Sequence, residues 1–231
     1  NENRNISVES SNYSQKEKLK IDKKVIAKLR SFTFIQNNKN LGYACGHNQA
    51  IKYALGQDYD YICLLNNDTE LVSMNIFDQL IEALDNNSLA VAASPKIVYQ
   101  NDPSKIWYAG GKMNLKSLNI HHENVGKNIN SIVGSTVANT GFLSGCCLMI
   151  DIKKSFDPLF DESYFLYWED TDWCARALGA GKQLLYVPGV VLKHNVSSSL
   201  GVLSPSYTYY NLRNRILFAK KWSSDFIGAT Q

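Results

Sequence analysis

Three acidic residues lie within the most aromatic stretch of the chain, "YFLYWEDTDWCAR", residues 164–176. On a helix, Glu169 and Asp172 share a face, whereas Asp170 points roughly 100° away from Glu169, so the acids can do different jobs. Burial among aromatic rings raises the pKa of a carboxyl group toward the range of a general base, and the rings can stack on a sugar or exclude water. The alternative is that the acids complement the dipole of a first helical turn and that the aromatic residues are core.

A second acidic group follows a buried strand in "LLNNDTEL". This strand ends at Asn66, Asn67 and Asp68, and open α/β sheets bind their ligands at the carboxyl ends of their strands. Asp68, with Glu70 nearby, offers the oxygen ligands that Mg²⁺ and Mn²⁺ prefer, and these ions neutralise diphosphates. The alternative is a turn in which Asn and Asp are turn formers and caps.

Two weaker features complete the set of candidate residues. In "NNKNLGYACGHNQA", Gly42 and Gly46 permit close backbone approach before a helix N-terminus that favours an anionic or polar ligand, although a plain loop-to-helix entry is the simpler reading. His194 ends the strand in "VVLKHN". Opposite Asp68 at a sheet edge it would be a second metal ligand or a phosphate contact, although a single histidine is more often structural.

The elements that must position these residues alternate between strands and helices. Strand-like runs end near residues 65, 99, 151 and 194, and helical patterns cover 44–55, 76–84 and 168–180. This alternation predicts an α/β fold with a mainly parallel sheet flanked by helices. Phe32, Phe34 and Ile35 predict a further short strand, and residues 107–139 are typical of short strands with long loops.

The C-terminal segment "YTYYNLRNRILFAKKW" predicts an amphipathic helix. Its basic residues are Arg213, Arg215, Lys220 and Lys221. Such a helix could lie on an anionic membrane, and the alternative is a solvated face on a packing helix.

Composition excludes several classes of protein. The 231 residues are 45% hydrophobic and 19% charged, which is typical of one globular domain rather than a disordered chain. A net charge of +3 without a dense arginine stripe argues against nucleic acid binding. The five cysteines include an adjacent pair and suit reduced core thiols better than a disulfide framework or a zinc site. No apolar run approaches the roughly 20 residues that span a bilayer.

Five segments cover most of the chain from residue 37 to residue 218: "NKNLGYACGHNQAI", "YICLLNNDTEL", "GFLSGCCLMIDI", "FDESYFLYWEDTDWCARALGAGKQLLYVPGVVLKH" and "YYNLRNRILF". In this order they resemble the inverting family-2 glycosyltransferases, especially their rhamnosyltransferase-like branch. The resemblance implies a GT-A-type, Rossmann-like fold whose first βα unit is missing or divergent. "VESSNYS", residues 8–14, would be a degenerate remnant of the segment that holds the nucleotide base.

The resemblance also implies a role for each candidate residue. Asp170 is the implied general base, with Glu169 beside it in the matching Glu-Asp motif. Asp68 and His194 are the implied ligands of Mg²⁺ or Mn²⁺, although Asn66 replaces the first acid of a D-x-D motif. The implied donor-binding residues are Asn40, Gly42, Gly46, Asn48, Asn66 and Asn67, and the implied acceptor-binding residues are Trp168, Asp172 and Trp173.

We therefore expect transfer of a sugar, with rhamnose as the favoured case, from a nucleotide-diphosphate sugar to a glycan or lipid-linked acceptor with inversion. A catalytically inactive sugar- or nucleotide-binding module is the alternative. A nicotinamide dehydrogenase is disfavoured because the G-x-G-x-x-G fingerprint is absent. The expected protein is cytoplasmic, with peripheral contact at the inner face of the membrane as one option, and works in cell-surface polysaccharide synthesis. Its single domain divides into a nucleotide-sugar side (1–100), an acceptor side (101–206) and a C-terminal helix (207–231).

Overall fold

The structure is a computed structural model that describes residues 33–132, 134–156, 158–196 and 204–222. The segment "VESSNYS" and Phe32 lie outside the described residues. The chain divides into two compact units, Asn1–Gly42 and Tyr43–Gln231. In the described part of the first unit, Phe34 and Ile35 are not in a strand, so the predicted short strand is wrong there because no ladder partner pairs with them.

The described elements alternate as the sequence predicts. The helices are α1 (Gly42–Leu55), α2 (Ile76–Asp85), α3 (Glu169–Gly179) and α4 (Pro205–Trp222), with one 3-10 turn at Ile129–Ser131. The strands are β1 (Tyr61–Leu65), β2 (Thr69–Leu71), β3 (Ala90–Tyr99), β4 (Ile106–Tyr108), β5 (Gly111–Asn114), β6 (Asn119–His122), β7 (Ala138–Asn139), β8 (Cys147–Asp151) and β9 (Gln183–His194).

The main sheet is mixed. Its order is β1-β8-β3-β9-β2, with β4 beside β3 and β7 beside β9, and β5 and β6 form a separate pair. Among the described strands only β3 and β9 pair in parallel, so the expectation of a mainly parallel sheet is wrong. The reason is that β8 follows a long irregular segment instead of a crossover helix, and it enters antiparallel between β1 and β3. β1, β3 and β9 still run in one direction.

The core forms where apolar runs are buried on both faces of the sheet. β3 is buried along its whole length except at Tyr99, and small alanines at its start let strands and helices approach closely. Pro95 has no N–H to donate, and the pairing of β3 with β9 shifts register between Pro95 and Lys96. α2 presents Ile76, Leu80 and Leu84, all completely buried, to this core.

The C-terminal helix differs from the expected amphipathic pattern. Its buried positions are the polar Asn214 and the aromatic Phe218, whereas Tyr209, Leu212 and Ile216 are more than half exposed. The buried face of this helix is therefore partly polar, because the Asn214 side chain donates hydrogen bonds to main-chain carbonyls. None of the helices among the described residues combines the length and the hydrophobicity of a membrane span.

Candidate active site

The Asp170 carboxylate accepts hydrogen bonds from α3 itself and from the loop before β8. Asp170 is the second residue of α3, and its Oδ2 accepts a hydrogen bond from the Gly145 amide at 2.9 Å. Its Oδ1 accepts from the Thr171 amide at 2.7 Å and from the Thr171 hydroxyl at 3.3 Å. Burial raises the pKa of Asp170, and these hydrogen bonds to the charged form oppose that rise. The hydrogen bonds therefore fix the direction of the Asp170 carboxylate and favour its ionised form.

A strained turn aims the helix start. Tyr167 and Trp168 both have positive φ, +69° and +75°, a region that bulky residues rarely adopt and that costs about 1–3 kcal/mol per residue. The buried Asn214 side chain compensates by donating to the carbonyls of Leu166 and Tyr167, at 2.8 Å each. Strain of this kind collects at functional sites, and here it lies directly before the two adjacent acids.

The surroundings of the Glu169 carboxyl group differ from those of the Asp170 carboxylate in hydrogen bonding. Its side chain is 5% exposed, and Oε2 has no hydrogen-bond partner. Loss of water raises the pKa of Glu169 well above its ordinary value, and the negative charge of Asp170 raises it further. The neutral acid is therefore the favoured form of Glu169, and the pair holds one negative charge.

Asp172 and Trp173 lie away from any surface that an acceptor could touch. Asp172 is completely buried, and its oxygens accept from Arg176 Nε at 3.0 Å, Lys221 Nζ at 2.9 Å and Trp222 Nε1 at 2.9 Å. It ties α3 to α4, so the acceptor-binding role expected of it does not fit. Trp173 is also completely buried and stacks near Phe156, with ring centroids 5.9 Å apart.

Trp168 remains partly accessible. Its ring lies 5.3 Å from that of Phe218, and its Nε1 donates to Asn211 at 3.3 Å. Of the three residues predicted to bind the acceptor, it alone keeps surface near Asp170.

The structure brings Asp68 and His194 together. His194 Nε2 lies 3.3 Å from Asp68 Oδ1, because β2 pairs with the end of β9 and the Asn195 amide donates to the Asp68 carbonyl at 2.9 Å. Burial lowers the pKa of His194, while Asp68 opposes this shift. A neutral imidazole beside a carboxylate is the form that ligates metals.

These two residues fit a hard divalent cation as a partial ligand set. Ligands about 2.1 Å from an octahedral ion and at right angles to one another are about 3 Å apart, close to the observed separation. No cluster of three His, Cys, Asp or Glu side chains suited to a metal occurs among the described residues. The remaining positions would fall to water and phosphate oxygens, as Mg²⁺ sites commonly arrange. Glu70 is engaged elsewhere, since its carboxylate accepts from Lys193 Nζ at 3.0 Å.

One loop connects the two acidic groups. The Gly145 amide bonds to Asp170, and the carbonyl of the next residue, Cys146, accepts from the Asn66 amide at 3.0 Å. The negative charges of Asp68 and Asp170 both raise the pKa of the Cys146 thiol, after burial, so both lie near it. The end of β1 and the start of α3 thus face each other across this loop.

Sequence reasoning missed three residues that shape the site. Gly145 lies within "GFLSGCC", just before β8 begins at Cys147. Tyr43 donates its hydroxyl to the Gly145 carbonyl at 2.7 Å. Trp107 packs its ring edge against His194, with centroids 4.6 Å apart. The small residues before β8 were the available signal for Gly145.

The predicted donor-binding residues fall into different environments. Asn40 Oδ1 accepts from the Gly42 amide at 2.9 Å, and Gly42 has φ +76° at the first position of α1. Gly46 has open space where a Cβ would stand. The Asn48 side chain instead bonds twice to a neighbouring segment. Its Nδ2 donates to the Phe160 carbonyl at 2.8 Å, and its Oδ1 accepts from the Phe160 main-chain amide at 3.0 Å.

Asn66 and Asn67 sit at the end of β1, before Asp68. Asn66 is partly buried, with its carbonyl accepting from the Thr69 hydroxyl at 2.6 Å, whereas Asn67 is exposed. Their position at the strand end is the one the sequence predicts.

Comparison with known proteins agrees with this architecture. The sequence model of "Glycosyl transferase family 2" matches residues 12–150. The dTDP-rhamnosyl transferase RfbF of Shigella flexneri is 24% identical over 220 residues, which are 91% of this chain and 68% of that protein.

A solved structure supports the fold. The crystal structure of GalNAc-T7 with UDP, GalNAc and Mn²⁺ superposes with a TM-score of 0.58 at 17% identity, over 80% of this chain and 36% of that one. The chain thus spans about a third of GalNAc-T7, and the likeness concerns the fold alone. The expected GT-A-type α/β fold is confirmed. Since the family match extends over more than half of its residues, the chain belongs to glycosyl transferase family 2.

Proposed function

We propose that this protein transfers a sugar from a nucleotide-diphosphate sugar to an acceptor hydroxyl with inversion, and that Asp170 is the general base. The observation that carries the proposal is the environment of Asp170: a partly buried carboxylate held by the Gly145 and Thr171 amides, on the loop whose next residue, Cys146, bonds to Asn66 at the end of β1. A base needs a fixed direction and a pKa raised toward the working pH, and both features occur here.

The proposed reaction is a single displacement. Asp170 accepts the proton of the acceptor hydroxyl, and the hydroxyl oxygen attacks the anomeric carbon from the face opposite the diphosphate. The bond between the anomeric carbon and the diphosphate oxygen breaks, and its electron pair leaves with the diphosphate. Inversion follows because only one bond forms at that carbon as one breaks. Glu169 stays neutral beside the base, so a second negative charge does not oppose the first.

Asp68 and His194 are the residues that would hold Mg²⁺ or Mn²⁺. The ion, when bound, supplies positive charge that stabilises a departing diphosphate. Support comes from the 3.3 Å separation of Asp68 Oδ1 and His194 Nε2 and from the Mn²⁺ and UDP in the GalNAc-T7 crystal. Asn66 and Asn67, at the same strand end, are proposed to line the donor site together with Gly46.

The printed name of RfbF suggests dTDP-rhamnose as the donor. For the acceptor we propose a glycan or lipid-linked hydroxyl in cell-surface polysaccharide synthesis, with Trp168 as part of its binding surface. The exposed residues Tyr209, Leu212 and Ile216 of α4, with the exposed Arg215 between them, are consistent with contact at the cytoplasmic face of a membrane.

The replacement Asp170→Asn tests the proposed base. We expect transfer to fall by roughly a hundred- to ten-thousandfold, the usual contribution of general base catalysis, while donor affinity persists. A panel of nucleotide sugars with Mn²⁺ would be assayed for transfer by product analysis and for binding by calorimetry. Asp58→Asn, in an exposed loop, is the matched control.

Unchanged transfer by Asp170→Asn would refute the base. Binding of donors without transfer or hydrolysis of any of them would instead favour an inactive binding module of the same fold. A retained anomeric configuration in the product would refute the single displacement.

A further inference from the structure

The hydroxyl of Tyr43 reaches the same glycine that holds the proposed base. It donates to the Gly145 carbonyl at 2.7 Å, while the Gly145 amide donates to Asp170 Oδ2 at 2.9 Å. The two bonds hold the two peptide groups that meet at the Gly145 Cα, one on each side of the residue. Tyr43 lies on α1, about a hundred positions before Gly145, and no sequence motif links the two.

Close packing shows that this contact is tight. A Cβ built on Gly145 would lie 2.8 Å from the Tyr43 hydroxyl oxygen and 3.5 Å from Asp170 Oδ2. Real Cβ atoms do not approach an oxygen at 2.8 Å, so glycine is needed here to let the tyrosine and the carboxylate meet the backbone from both sides.

The Tyr43 side chain is itself fixed. Its ring stacks on that of His47, with centroids 3.9 Å apart and 29° between planes, and a second ring, that of Phe160, lies 5.9 Å away. The main-chain amide of Tyr43 donates to the Phe165 carbonyl at 2.7 Å, in the segment that leads to Asp170. Burial and the negative charge of the Glu169–Asp170 pair raise the pKa of Tyr43 well above its ordinary value, so the hydroxyl stays protonated and remains a donor.

We infer that Tyr43 is a positioning residue for Asp170: its hydroxyl fixes Gly145 so that the Gly145 amide stays aimed at the carboxylate. This inference rests on the proposed function, because only there does the orientation of Asp170 matter for transfer. Tyr43 touches neither donor nor acceptor in this role and acts through the glycine.

The test compares Tyr43→Phe with the unaltered protein by following the Gly145 amide in NMR spectra across pH. That amide proton is bonded to the Asp170 carboxylate, so its chemical shift should follow ionisation of the carboxylate whether or not the protein is active. Loss of a hydrogen bond to the charged form raises a carboxyl pKa, so the midpoint for Tyr43→Phe should move to higher pH. Tyr59→Phe, at a residue 52% exposed, is the control and should leave the midpoint unchanged.

Other ionisable groups near Asp170 must be separated from it. They are Glu169 and Cys174 on its own helix, Tyr43 on α1 and Cys146 before β8. Burial raises the pKa of both thiols and of the tyrosine, so in acid solution only the two carboxyl groups change. Repeating the titration with Glu169→Gln isolates Asp170.

Kinetics supply the second readout. In Tyr43→Phe the acid limb of the kcat profile should move to higher pH with the amide midpoint, and kcat should fall by up to about a hundredfold, the effect of a small misplacement. The KM for the donor should change little. Gly145→Ala, which pushes the Gly145 backbone and the Tyr43 hydroxyl apart, should lower kcat in the same way. The double variant should lose less in kcat than the two separate losses combined, because both replacements break the same contact.

The outcomes are distinguishable. An amide midpoint that stays in place in Tyr43→Phe, with only a lower melting temperature, would show that the tyrosine is merely structural. A shifted midpoint with unchanged kcat would also overturn the inference. If Asp170→Asn keeps full transfer, the proposed base is wrong, while the amide titration still decides whether Tyr43 orients the carboxylate.

Discussion

At the scale of single residues, two adjacent carboxyl groups differ because their surroundings differ. Asp170 accepts hydrogen bonds from Gly145 and from Thr171, whereas Glu169 Oε2 is buried without a partner. Ionising both would place two negative charges together in a poorly hydrated place, so one proton is retained. The contacts favour retaining it on Glu169.

This assignment predicts how stability depends on pH. A carboxyl group whose pKa is raised in the folded state stabilises the fold least at high pH, because the unfolded chain releases the proton first. Between the ordinary pKa of a glutamic acid and the raised pKa of Glu169, stability should decline by up to about 1.4 kcal/mol per pH unit. Glu169→Gln should therefore be as stable as the unaltered protein near pH 4 and increasingly more stable than it as pH rises toward the raised pKa of Glu169.

Chemical denaturation at several pH values measures this difference. Glu82→Gln, on the exposed side of α2, is the control and should show no such trend. A constant difference between Glu169→Gln and the unaltered protein from pH 4 to 8 would contradict a buried neutral acid.

At the scale of elements, α4 holds the turn that starts α3. Asn214, completely buried, donates to the carbonyls of Leu166 and Tyr167, the residues that lead into the two left-handed positions. Lys221 and Trp222 bond to Asp172 from the same helix. The C-terminal helix thus holds the backbone of the turn that precedes α3 and the proposed base.

Asn214→Ala should destabilise the protein by about 1–3 kcal/mol, because two carbonyls lose their donor in a buried place. Thermal or denaturant unfolding measures the change. Thr208→Ala, exposed on the same helix, should stay within about 0.5 kcal/mol of the unaltered protein. An equal effect of the two replacements would mean that the Asn214 bonds contribute nothing.

The periodicity of apolar residues predicts many of the helices and strands, but it does not predict much of the candidate site. The helices α2 and α3 and the buried strands follow apolar spacing, which depends only on neighbours along the chain. Asp172 and Trp173 were misplaced because spacing gives the face of a helix and not what packs on it. Gly145 and Tyr43 meet only in the fold, so no local pattern marks their contact.

At the scale of the whole molecule, the proposed ligand set is incomplete without a nucleotide. Asp68 and His194 supply two ligands, and phosphate oxygens would supply others. Metal and nucleoside diphosphate added together should therefore stabilise the protein by more than the sum of the stabilisation that each gives alone. At a hundred times its Kd a ligand adds about 2.7 kcal/mol to stability.

Thermal melting with Mn²⁺, dTDP or UDP, and both together measures this coupling. His194→Ala should remove most of the Mn²⁺-dependent part, and EDTA should do the same for the unaltered protein. His121→Ala, at an exposed histidine, is the control. Equal stabilisation by the nucleotide with and without Mn²⁺ would argue against a metal at Asp68.

The position of β8 also bears on how the protein can form during synthesis. β1 pairs only with β8 among the described strands, and β2 pairs there only with β9, so no two strands of residues 61–100 are neighbours in the sheet. A nascent chain that has emerged only to residue 100 holds Asn66, Asn67 and Asp68, but among its described residues no strand pairs with the two strands that flank them. Closing the sheet requires contacts between distant parts of the chain, which is slow. The described strands β1 and β2, in the half expected to bind the donor, therefore gain their sheet partners only when the half that carries Asp170 has been made.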